Sequence, residues 1–324
     1  MATYKETRGG TVKNYTTNPD NIKEGQVWYD ETNQVMKLGV VGTDSWASGG
    51  NLNQARNALA GAGTQTAGLA FGGFNFPTLA VTETYNGTSW TEVNDLNTAR
   101  LYPGGLGRQT AALCFGGDPN VANTESWNGS SWTEVNDLNS GRNSVSGTGI
   151  QTSGLAICGQ EPALTAKTES WNGSNWTETG DLNTARGGPA AASGADNTSA
   201  LVFGGFQPAA SVLTESWNGS SWTEVGDLNT GRGGLAGSIA GTQTAALAFG
   251  GGPPSPSAVG NTESWNGSAW TETTDMATGR RDLAGAGTST ASLAISGFNG
   301  SSRPAVSEEF TGASGIVSAT IGTD

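Results

Sequence analysis

The chain has 324 residues with 51 Gly, 11 Trp and only 13% charged residues, a composition that excludes a disordered acidic tail and a helical bundle. Its 28 acids against 15 bases leave a net charge of −13, which speaks against nucleic acid and anionic membranes as partners, since both need clustered Lys and Arg. No His is present and the two cysteines, Cys114 and Cys158, are far apart, so a disulfide framework, a thiol redox motif and a zinc half-site are not expected; no metal and no cofactor is predicted, and both thiols read as small buried hydrophobes.

The start, Met1-Ala2-Thr3-Tyr4-Lys5-Glu6, lacks the charged-then-apolar pattern of a secretory signal, and no apolar run is long enough to insert in a membrane, so a product made in a cytoplasm is expected. Residues 1–42 differ in composition from the rest. Asn18-Pro19-Asp20-Asn21 is a turn signal, and Gly25 to Leu38 reads as a β-hairpin. This segment is expected to serve attachment or oligomerisation.

From residue 43 to 312 the chain repeats. Thr-Glu-Ser-Trp-Asn-Gly-Ser-Ser-Trp-Thr-Glu-Val stands at 124–135 and again at 214–225, with near copies from Thr82, Thr168 and Thr262. The second aromatic recurs at Trp46, Trp90, Trp132, Trp176, Trp222 and Trp270, at intervals of 42 to 48 residues, and ten residues after each comes Arg56, Arg100, Arg142, Arg186, Arg232 or Arg280. Such a period points to a propeller or a solenoid. Each unit reads as four short strands: a Gly/Ala-rich one, an apolar one ending in a Gly doublet, and the two Trp-bearing pieces joined through Asn-Gly.

A two-residue turn at Asn128-Gly129 would pair Trp127 with Ser130 and Glu125 with Trp132, and period-two alternation then sets Glu125, Trp127 and Trp132 on one face. The first unit carries only its fourth strand, Ser45-Trp46-Ala47, while the last, ending in Ser307-Glu308-Glu309-Phe310, lacks one. An all-β six-bladed propeller is therefore expected, with the N-terminal strand completing the last blade and residues 313–324 as a C-terminal tail.

The Gly doublet, the aromatic followed by Trp and the Arg opening the next unit resemble kelch repeats over roughly residues 45 to 312. Asn18-Pro19-Asp20-Asn21 and Gly25-Gln26-Val27-Trp28-Tyr29, ahead of units rich in Trp-Asn-Gly-Ser, are similar to appendage and fibre proteins of tailed phages, particularly marine ones. That resemblance implies a virion protein present in multiple copies, a tail or head fibre, appendage or decoration protein. It would contact other virion proteins through its N-terminal segment and a host surface glycan or protein through the propeller.

Glu83, Glu125, Glu169, Glu215, Glu263 and Glu308 share one repeat position. A residue required in every unit serves the unit, so these are expected to pair with the six recurrent Arg, Arg142 among them, rather than to form a catalytic ring. Two further acidic columns, one from Glu92 to Glu272 and one from Asp95 to Asp275, read as a solvated rim and as turn caps. No phosphate-binding motif follows a strand. The copper oxidases with kelch units need His, and sialidase-type sites need an Arg cluster, Tyr and acids, so no enzyme is expected. A carbohydrate-active hydrolase with two carboxylates is the alternative, and an intracellular kelch-like interaction scaffold the third reading.

Variation is concentrated in the loops between the second and third strands, which are Pro-rich and carry aromatics. Binding is expected there, through Phe74, Phe76, Asp118, Gln160, Phe206, Gln207, Phe298 and Arg303.

Overall fold

The computed structural model describes residues 12–19, 21–193, 196–253, 257–313 and 316–321, and these contain strands and no helix. They divide into two compact units, Ser45–Thr311 and a smaller one built from both ends of the chain.

The large unit is a series of six four-stranded antiparallel sheets. Sheet 1 holds Ala60–Thr64, Ala67–Phe71, Thr82–Tyr85 and Trp90–Val93. Sheet 2 holds Gly104–Arg108, Ala111–Phe115, Thr124–Trp127 and Trp132–Val135. Sheet 3 holds Ser146–Ile150, Ser153–Glu161, Ala163–Trp171 and Trp176–Glu178. Sheet 4 has Ala190–Ala192, Ala200–Phe203, Thr214–Trp217 and Trp222–Glu224, and sheet 5 Ala236–Gly237, Ala246–Phe249, Thr262–Trp265 and Trp270–Glu272. In sheet 6, Ala284–Thr288, Ala291–Ile295 and Ser307–Thr311 are completed by Ser45–Ser48, with Phe310 opposite Trp46. The repeat-like series fits a β-propeller-like fold.

The core lies between sheets rather than within them. Phe71 of sheet 1 meets Trp132 of sheet 2 at 5.0 Å, Phe115 meets Trp176 at 4.9 Å, Phe203 meets Trp270 at 4.8 Å and Phe249 meets Trp46 at 5.2 Å. The same indoles are tied by their one polar atom, which a buried Trp must satisfy. Trp132 Nε1 donates to Thr82 Oγ1, Trp176 to Thr124, Trp222 to Thr168, Trp270 to Thr214 and Trp46 to Thr262, at 3.0 to 3.2 Å. Trp90 reaches Ser307 Oγ at 3.5 Å. Each strand-four indole is thus bonded to strand three of the preceding sheet.

First strands adjoin pairwise: sheet 1 with 2, 2 with 3, 3 with 4, 4 with 5, 5 with 6 and 6 with 1. Their glycines are required by this approach. A Cβ on Gly147 would fall 2.4 Å from the Gly105 carbonyl oxygen, and one on Gly285 would fall 2.3 Å from that of Gly237.

The hairpin register differs from the expectation. Trp127 lies opposite Trp132 and Glu125 opposite Glu134, because the connection has four residues, Asn128 to Ser131, not two. The Asn128 side-chain oxygen accepts the backbone N–H of both Ser130 and Ser131 at 2.9 Å, so an Asx-type loop replaces the tight turn. A slip of two residues preserves the face, and Glu125, Trp127 and Trp132 are all buried on it, with the indoles 5.3 Å apart. The aspartates of the second acidic column also act differently from turn caps. Asp95 Oδ1 accepts Thr82 N and Asp137 Oδ1 accepts Thr124 N, both at 3.0 Å, fastening the end of strand four to the start of strand three across 13 residues.

The small unit is a four-stranded sheet ordered Lys13–Tyr15, Val27–Asp30, Val35–Val41, Ile316–Thr320. The predicted hairpin is its centre, with Trp28 fully buried and Asp30 closing the turn by accepting Thr32 N and Asn33 N. Part of the segment expected as a C-terminal tail at 313–324 forms its fourth strand, bonded along Lys37 to Val41, where it satisfies an edge that the hairpin alone would leave open. Residues 1–11 and the loop residues Pro254 and Pro256 lie outside the described residues.

Candidate functional site

The recurrent charges are structural in geometry. Arg56–Glu83, Arg100–Glu125, Arg142–Glu169, Arg186–Glu215, Arg232–Glu263 and Arg280–Glu308 are ion pairs whose side chains are essentially buried. The Glu125 carboxylate also accepts the backbone and side-chain N–H groups of Asn97, and Arg100 donates further to the carbonyls of Gly116 and Asn123. Burial pulls the Arg56, Arg186, Arg232 and Arg280 guanidinium groups below their usual range. Glu92, Glu134, Glu178, Glu224 and Glu272 are exposed. Cys114 and Cys158 are buried, and loss of solvation pushes both thiols up to about 12, where they are inert at neutral pH.

After each recurrent Arg the chain passes through a left-handed residue: Ala58, Tyr102, Ser144, Gly188, Gly234 and Asp282 all have φ between 51° and 59°. These six are joined through their backbones. Tyr102 N donates to Ala58 O (2.8 Å), Ser144 N to Tyr102 O (3.0 Å), Gly188 N to Ser144 O (2.9 Å), Gly234 N to Gly188 O (3.2 Å), Asp282 N to Gly234 O (2.7 Å) and Ala58 N to Asp282 O (2.8 Å). The sixth bond returns to the residue from which the first began. The residues that follow them, Leu59, Pro103, Val145, Pro189, Leu235 and Leu283, line a depression of about 570 Å³, within the range of small-molecule sites. In sheet 5 the first strand stops at Gly237, and Ile239 lines the two smaller cavities next to the first strands.

Of the residues expected to bind, Asp118, Gln160 and Phe206 line this depression. They share one position, each bridging to the residue just before the left-handed one, as do Phe74 with Asn57 and Phe298 with Arg281. Gln207 does not join them; its amide turns to Ser211 Oγ within the hairpin Phe206–Gln207 and Ala209–Ala210. Phe74, Phe76, Phe298 and Arg303, from loops over 220 residues apart in sequence, form a single cluster. The Arg303 guanidinium lies 4.7 Å from the Phe76 ring centre, 5.1 Å from Phe74 and 5.6 Å from Phe298. Phe76 is 75% exposed, with its ring 4.7 Å from Phe74.

Beside this cluster is a cavity of about 270 Å³ that shares Ala58, Leu101, Tyr102, Arg281 and Asp282 with the depression. Its polar groups lie together. Arg303 Nε donates to Asn57 Oδ1 at 2.7 Å, and Asp282 is paired with Arg281 at 3.4 Å, with Tyr102 in the same lining. Burial raises the Asp282 carboxyl above the usual carboxylate range and, with the negative charge of Asp282 adding to it, pushes the Tyr102 phenol up to about 12.

Asn57, Tyr102, Arg281 and Asp282 went unnoticed in the sequence because they lie between the recurrent Arg and the first strand, a segment read only as Gly/Ala-rich. A signal was present. At the left-handed position the other units carry Ala, Ser, Gly, Gly and Tyr, and only the last carries a charge, preceded by a second one. No protein-family model matches the chain, and a comparison with curated proteins finds no match.

Proposed function

We propose that residues 45–311 are a closed six-bladed, kelch-like β-propeller that acts as a non-enzymatic recognition module for a surface saccharide. In this reading the protein is displayed in multiple copies on a phage particle, with residues 1–42 serving attachment. Closure is supported by bonds that run once round the six sheets: the left-handed ring, and the recurrent Arg carbonyls accepting the doublet N–H of the preceding sheet, from Gly73 with Arg100 round to Gly297 with Arg56. Binding is carried by one observation: the exposed ring of Phe76, with Phe74 and Phe298, lies around Arg303 beside a concave, partly apolar cleft. Aromatic faces next to fixed polar groups suit the C–H and hydroxyl faces of a pyranose, and several copies would multiply weak contacts.

A hydrolase is the second reading, because Asp118 and Asp282 line one depression together with Tyr102 and Arg281. The Tyr102 proton, held up to about 12, disfavours a phenolate nucleophile, and Asp282 is paired with Arg281. A glycan array read together with a reducing-sugar release assay separates the two. Binding without new reducing ends, weakened by Phe76→Ala, is the expected result, and steady release of reducing ends overturns it. Mass spectrometry of purified particles tests the display: a protein absent from them is not a virion component.

A further inference from the structure

The charge distribution of the large unit narrows the ligand further, and the step rests on the saccharide reading of the same cleft. Between Ser45 and Thr311 the cations are Lys167 and nine Arg. Six Arg are consumed in the buried pairs and Lys167 pairs with Glu161, which leaves Arg108, Arg281 and Arg303. Two of these three line the one cavity beside the aromatic cluster.

Neither is used up there. Arg281 touches Asp282 only through Nη1, at 3.4 Å, and its side chain is 17% exposed where those of the six paired Arg are at most 1%. Arg303 commits Nε to Asn57, while its two Nη atoms have no hydrogen-bond partner among the described residues. Three Phe rings hold that guanidinium in place, so its planar fork is ordered before any ligand arrives. Asp282 is the one acid in the lining of this cavity, since Asp118 lines only the adjoining depression. Two guanidinium groups against one carboxyl leave a positive balance in a chain whose net charge is −13, and at physiological salt a ligand's charge senses chiefly the groups within about 8 Å.

We infer that this cavity selects a carboxylate-bearing sugar, with Arg303 and Arg281 taking the carboxylate and Phe76 and Phe298 taking the ring. A carboxylate is the anion that a guanidinium fork meets with two parallel hydrogen bonds, and the rings supply the apolar floor that a free inorganic anion would not use.

The test titrates the full chain with two acidic probes, tetragalacturonate and 3′-sialyllactose, and with the methyl ester of each, which keeps the ring and removes the charge. At least one acid is expected to bind about tenfold or more tightly than its ester, the preference shrinking as salt rises from about 0.05 M to about 0.5 M. Arg303→Gln is expected to erase the preference, whereas Phe76→Ala weakens acid and ester alike. If Arg303→Gln lowers the melting temperature, the acid-to-ester ratio of the wild type and its salt dependence decide alone. Esters that bind as well as both acids, or an Arg303→Gln protein that folds and keeps the preference, overturn the inference while leaving the saccharide reading standing. Binding of no sugar on the array or in the titration overturns both.

Discussion

Two Arg–carboxylate pairs in the large unit use the same chemistry in opposite settings. Arg100–Glu125 is 1% and 2% exposed, and its carboxylate is further satisfied by Asn97. Arg281–Asp282 is 17% and 7% exposed and looser at 3.4 Å. The first recurs six times and the second occurs once. A buried pair offsets its desolvation through short contacts and added hydrogen bonds to its carboxylate, so full burial with a short contact marks a structural pair, and partial exposure with a longer contact marks a pair with capacity to spare.

The comparison breaks first at the repeated pair. Glu125→Ala leaves the Arg100 guanidinium buried and unpaired, and a loss of about 3–5 kcal/mol in denaturant unfolding is expected; an unchanged midpoint would refute the structural role of the column. Gly147→Ala tests the close approach of the first strands. Its methyl group would lie 2.4 Å from the Gly105 carbonyl oxygen, so a cost of about 1–3 kcal/mol should appear in the same measurement.

Asp282 sharpens the other side. Because burial raises its folded-state pKa, the folded protein holds this proton more tightly than the unfolded chain, and its contribution to stability falls as pH rises from the unfolded value of 3.8 through the folded one. Asp282→Asn, which tolerates the left-handed backbone, should remove that decline, giving a flatter stability profile than wild type across the same window. The smallest expected change is for Phe76→Ala. Its ring is mostly exposed, so stability should stay within about 0.5 kcal/mol while saccharide binding is weakened. A large loss of stability would recast the aromatic cluster as core.

Much of this was readable along the chain. The recurrence of Trp, Glu and Arg announces four-stranded repeats, and equal numbers of recurrent Arg and Glu announce their pairing, because a residue demanded in every unit must be demanded by the unit. Hairpin register is not legible in the sequence because Asn-Gly signals a turn without stating its length, and the Asn128 side chain is what stretches the loop to four residues. The variability of the loops is visible in the sequence, but Phe76 and Arg303 are 227 positions apart, and no local pattern says that they meet.

Amino-acid order therefore decided the strands, the inward-facing side of each sheet and the pairing of the recurrent charges, since alternation and turn chemistry act over a few residues. Which irregular residues share one cleft was settled by the packing of the first sheet against the sixth. That neighbourhood depends on contacts across the whole length of the large unit, and those contacts are what set Asn57, Tyr102, Arg281 and Asp282 beside the loop aromatics.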